Sequence, residues 1–137
     1  MTLRKPRLRI LGIGMVLGLC IALAGCGSSK PGYCTDRSNL ENSVKGLTDL
    51  HLSSGMSGLE AQLNKIKTNA TNLVKSAKSD FPNETKAIES SLNTLKTTVD
   101  SLPSSPSASN IATVAVETSA FVSSVKTFID ATSSKCS

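Results

Sequence analysis

His51 is the only histidine in a chain of 137 residues, and it lies two positions after Asp49 and two before Ser53. Those three residues have the composition of a Ser-His-Asp hydrolytic triad. A triad is a spatial arrangement, however, and residues this close in one Gly/Ser-rich stretch rarely meet in its geometry. His51 therefore reads as an exposed loop residue. The carboxylates offer no better acid–base pair. Asp80 and Glu84 stand at i and i+4 near a helix start, where negative charge suits the helix dipole. Glu84 and Glu89 are five apart and diverge around a helix. No Glu-x-x-His is present for a di-metal bundle, and downstream of Cys26 no Gly-x-Gly or Gly-Lys-Ser/Thr is present to cradle phosphates. No catalytic residue, metal site or cofactor site is assigned.

The chemistry that the sequence does specify lies near its start. Arg4, Lys5, Arg7 and Arg9 precede an apolar run from Ile10 to Ala24, too short for the roughly 20 residues that span a bilayer but right for an export signal. The positive charges favour holding the leading end on the cytoplasmic side. The run ends in Leu23-Ala24-Gly25-Cys26, which resembles the lipobox of bacterial lipoproteins. The resemblance implies that the Cys26 thiol carries diacylglycerol and that the Gly25–Cys26 bond is cut. Residues 1–25 would then be a removed leader, 26–33 a lipidated cysteine with its tether, and 34–137 the working domain. Two acyl chains anchor stably where one binds only reversibly, each buried CH₂ contributing ~0.8 kcal/mol. The plan of lipobox, polar tether and small domain is similar to that of small lipoproteins of Gram-positive envelopes, including actinobacterial ones.

That resemblance also sorts the cysteines. Cys20 leaves with the leader and Cys26 is used by the lipid, so Cys34 and Cys136 remain as an even pair in an exported, oxidising setting. The expectation is a disulfide bracketing nearly the whole domain; one histidine without clustered partners argues against a metal site. In a bacterial chain, the sequons Asn69-Ala70-Thr71 and Asn83-Glu84-Thr85 are incidental.

The formal charge of +5 misleads about partners. Four of the fifteen Lys and Arg lie in the leader, so the rest nearly balances the ten acids. Neither a nucleic-acid footprint nor a polybasic lipid patch is present. With no Trp, one Tyr and three Phe, the core must come from Leu, Val, Ile and Ala, as in packed helices.

The elements that would position these cysteines follow from apolar spacing. Gly27 to Gly32 is a polar tether. Thr35 or Asp36 can cap a first helix carrying Leu40, Val44 and Leu47. His51 to Gly58 is a loop, with Leu52 and Met56 tucked beneath it. Leu59, Leu63, Ile66, Ala70, Leu73 and Ala77 repeat at 4-3 spacing on a second helix, with Lys65, Lys67, Lys75 and Lys78 off the seam. Asp80-Phe81-Pro82 makes a tight turn with Asp80 as cap, and a third helix carries Ile88, Leu92, Leu95, Val99 and Leu102. Ser105 and Pro106 open a fourth, with Ile111, Val114, Thr118, Phe121, Val125 and Phe128 on one face.

These elements predict an all-α, up-down-up-down four-helix bundle, which brings the flanking cysteines to one end. Reading Leu59 to Leu102 as one kinked helix instead gives three helices and parts the cysteines. The functional expectation is a monomeric, non-enzymatic interaction or structural module on the outer face of the cell membrane. Its cofactor list is empty apart from the covalent lipid on Cys26, and its partner is an envelope protein or polymer. The alternative is a carrier or sensor that holds a small apolar ligand or lipid between its helices.

Overall fold

Four helices in sequence, α1 (Gly32–Thr48), α2 (Gly55–Ala77), α3 (Pro82–Asp100) and α4 (Ala108–Thr132), form an antiparallel bundle. The structure, a computed structural model, describes residues 30–49 and 55–137. Gly25, Cys26, the rest of the leader through Ser29, and the loop residues His51, Leu52 and Ser53 lie outside them. The described residues contain no strand. Helix α1 packs most closely on α2 and α3 on α4, with α2 and α3 joining the two hairpins; α1 and α4 meet least. This is the expected four-helix arrangement, and the three-helix alternative fails at residues 78–81. There the Asp80 and Phe81 amides both donate to the Ala77 carbonyl and close a tight turn.

The 4-3 seams are the core. Leu40, Ile66, Leu73, Ala77, Ile88, Leu95, Phe121 and Phe128 are wholly buried, and Leu63, Ala70, Leu92, Val99 and Val125 nearly so. Val74 joins them on α2. Lys65, Lys67, Lys75 and Lys78 are exposed, as their positions off the seam require. Burying a side chain of the Leu or Phe class contributes roughly 1.5–3 kcal/mol, so this interior supplies the main driving force.

The helix starts depart from expectation in four places. Helix α1 begins at Gly32 behind Pro31, which makes no side-chain cap. Thr35 and Asp36 are therefore inside the helix, and so are Cys34 and Tyr33. Burying Tyr33 in the core and fixing Cys34 by its disulfide draws the first turn of α1 back over residues assigned to the tether. At α2 the helix takes in Gly55 to Gly58, with Gly55 at φ +70°, a left-handed conformation that a side chain resists. Phe81 rather than Asp80 is the residue before α3, and Pro82 occupies its first turn. Helix α4 is capped by Ser107 instead of Ser105. The Ser107 hydroxyl accepts from the Asn110 amide while Asn110 Oδ1 accepts from the Ser107 amide, a reciprocal capping box.

The fourth seam also divides. Phe121, Val125, Phe128 and Thr132 are buried, but Ile111 is 36% exposed, Val114 and Thr118 are only partly covered, and Val116 is 65% exposed. The reason is length. Helix α4 has 25 residues and α1 has 17, a difference of about 12 Å at 1.5 Å per residue. With their ends pinned together at the disulfide, the first turns of α4 run past the end of α1, which does not reach far enough to cover them.

Candidate functional site

Two of the residues singled out in the sequence, Cys34 and Cys136, meet at one end of the bundle, where α1 begins and α4 ends. Cys34 and Cys136 are disulfide-bonded across 102 positions, with Cα atoms 5.5 Å apart. An even number of antiparallel helices requires this proximity, so the pairing and the topology support each other. Closing a loop of ~100 residues is worth about 4.7 kcal/mol in the chain-entropy model. Cys34 is 7% exposed in the first turn of α1, while Cys136, beyond α4, is only partly buried. The Cys34 Sγ lies 3.8 Å from the Lys135 carbonyl oxygen.

Three aromatic rings fill the space behind the bridge. Tyr33 meets Phe81 edge-on at 5.5 Å and Phe128 at 6.4 Å, and Phe81 meets Phe128 at 5.6 Å. Such edge-to-face pairs contribute ~0.5–1.5 kcal/mol beyond simple area burial. The trio joins the start of α1, the α2–α3 turn and the end of α4. Only Tyr33 and Phe128 of the three span the sparse seam.

Arg37, one turn above Cys34, completes the pole. Its Nη1 donates to the Thr132 hydroxyl at 3.2 Å and to the Ile129 carbonyl at 3.4 Å. A cation at these last carbonyls complements the negative end of the α4 dipole. Its Nε is buried without a partner, and among the described residues no carboxylate pairs with it. The roles of Arg37 and Tyr33 went unnoticed in the sequence, because their partners on α4 lie more than ninety positions away.

Of the hydrolytic trio only Asp49 is among the described residues, where it caps the C-terminal end of α1 and is exposed; His51 and Ser53 fall outside them. Glu84 and Glu89 sit on α3 without meeting, and Asp80 is exposed in the turn. Asn69, the first sequon residue, stitches α2 to α1 through bonds to the Ser43 hydroxyl and the Asn39 carbonyl. Among the described residues, no three His, Cys, Asp or Glu side chains group as metal ligands, and no helix is long and apolar enough to cross a membrane. A hollow of about 290 Å³ between α2 and α3 has Leu63 and Leu92 among its lining, with Glu60, Lys67, Lys96 and Asp100 around them. Four charged walls suit a polar occupant better than the apolar ligand of the carrier reading. The chain matches no protein-family model, and neither curated proteins nor solved structures gave a significant match.

Proposed function

We propose that the protein is a lipoprotein anchored on the extracytoplasmic face of the cell membrane, acting as a non-enzymatic interaction or structural module of the cell envelope. The observation that carries this reading is the position of Cys26 in its lipobox, six residues before α1 begins at Gly32. Six residues reach at most about 20 Å when fully extended. An acylated Cys26 would therefore hold the clasp pole close to the headgroups and direct the opposite end away from the membrane. That far end carries Ile111 and Val116, the two large apolar side chains exposed among the described residues, within the uncharged opening turns of α4. They give an envelope partner apolar surface to grip.

The test is Cys26→Ala. The variant should accumulate as unprocessed precursor without the diacylglyceryl mass, read by mass spectrometry of the membrane fraction. Mature, acylated protein recovered from that variant would rule the reading out.

A further inference from the structure

We propose that the Cys34–Cys136 bridge is a reducible latch on the α1–α4 seam, so that a dithiol reductant opens the bundle along that seam without melting its helices. Three observations converge on it. The first is the packing: α1 is held along its length by α2 but meets α4 little, and the contacts described between them all lie at the clasp. The other three seams remain when the bridge is cut, so its loss acts on one interface.

The second is the asymmetry of the two sulfurs. Cys136 is the more open residue, beyond the last turn of α4, and Cys34 is buried in the first turn of α1. An incoming thiolate reaches Cys136 more readily. Cys34 is then the leaving group, and a helix N-terminus, with free N–H groups and the positive end of the dipole, stabilises a departing thiolate. The accessible sulfur sets the direction of exchange, with the helix N-terminus offsetting the burial of Cys34.

The chemistry balances as two displacements. One thiolate of the dithiol attacks the Cys136 sulfur, the S–S bond breaks, and Cys34 departs with the bonding pair, leaving a mixed disulfide on Cys136. The reductant's second thiolate attacks its own sulfur in that mixed disulfide and releases Cys136. The reductant ends as a disulfide, and two electrons and its two protons pass to the cysteines.

The third observation makes opening measurable. Tyr33 is the only tyrosine, the chain has no Trp, and this ring is 3% exposed against Phe128 across the seam. Its fluorescence is therefore a single-site report from the pole that the latch closes. The latch does not depend on Cys26 being acylated, and the test reads no membrane property.

The experiment takes the full chain in detergent, with any free thiols blocked, and treats it first with glutathione and then with a dithiol. Trapped glutathione should map to Cys136 with Cys34 free, in the absence of denaturant. After full reduction, iodide quenching of Tyr33 should rise severalfold while far-UV circular dichroism keeps its helical amplitude. The Cys34→Ser/Cys136→Ser chain should show the same quenching without reductant. Adduct on Cys34, reduction only where the chain unfolds, or a Tyr33 that stays shielded once the bridge is gone would each overturn the latch. Loss of the helical signal together with Tyr33 shielding would overturn it too, because the bridge would then hold the whole fold.

Discussion

Helix α1 has two neighbours and holds them by different means. Against α2 it is stitched along its length by polar groups. Gln62 Nε2 donates to the Ser43 carbonyl at 2.6 Å, Asn69 Nδ2 to the Ser43 hydroxyl at 3.0 Å, and the Ser76 hydroxyl to Asp36 Oδ2 at 2.6 Å. Gly46 allows the close approach, since a Cβ there would meet Gln62 Nε2 at 2.6 Å. Against α4 the hold is concentrated at one pole in a covalent bond, a Tyr–Phe contact and one guanidinium. Distributed bonds fix register, and a terminal clasp fixes proximity. The first kind fails piece by piece; the second fails at once.

The largest expected effect comes from removing what both hairpins share. Phe128 is wholly buried, joins two ring contacts at the pole and lies on the α4 face of the core. Phe128→Ala should cost about 3–5 kcal/mol, the range for truncating a buried aromatic and leaving a cavity. Chemical denaturation of the variant checks it. A loss under 1 kcal/mol would mean the α1–α4 pole is not packed as described.

Next in size is the clasp itself. Replacing both cysteines with Ser should lower stability by roughly 2–5 kcal/mol while leaving helical content intact, and either single replacement should match the double. Non-additivity is expected because each change removes the same link. Equal denaturation midpoints and slopes for oxidised and double-mutant chains would show that the bridge contributes nothing.

This contrast also shows what could be read in the sequence. The seam to the core was legible in every helix because apolar spacing of 4-3 records a buried face wherever it occurs. Leu63, Ile66, Leu73, Ile88, Leu95 and Phe121 all fell on it. The helix count and the disulfide followed from one another. What the pattern could not record was how long each neighbour is, so Ile111 was placed in the core although α1 stops short of it. The starts were obscured for a different reason. Pro31 and Phe81 make no side-chain cap, and Ser105 before Pro106 drew the start of α4 two positions ahead of its true cap, Ser107. Only the Asn110 three residues after Ser107 marked the right one. The polar stitches were invisible because Ser43, Gln62 and Asn69 look like ordinary surface residues until two helices are side by side.

The stitches set the third prediction. Asn69→Ala removes two bonds to α1, but the Ser43 hydroxyl keeps its own bonds to the Asn39 and Leu40 carbonyls and is not stranded. The cost should be about 1 kcal/mol, the net worth of an ordinary hydrogen bond, partly offset by the better helix propensity of Ala. Combined with the double cysteine replacement, the two losses should add within ~0.5 kcal/mol, since the sites share no partner. A denaturation cycle over the four chains measures this. A strong coupling would mean the two holds on α1 are one unit.

The smallest effect on stability should come where α4 has outrun α1. Val116 is 65% exposed and touches none of the groups that close the bundle, so Val116→Lys should leave the denaturation midpoint within about ±0.5 kcal/mol, as surface changes do. The same change places a charge in the otherwise uncharged opening turns of α4. If those turns grip an envelope partner, capture of the partner by the intact anchored protein should fall while folding is unchanged. The measurement pairs denaturation of the variant with quantitative mass spectrometry of what co-purifies from solubilised envelopes. A midpoint shift of several kcal/mol would mean that Val116 packs against the bundle and that the α1–α4 seam reaches further along α4. An unchanged co-purification profile with an unchanged midpoint would remove the opening turns of α4 as the interaction surface. Near the clasp, stability and exposure move together, whereas in the opening turns of α4 they should not.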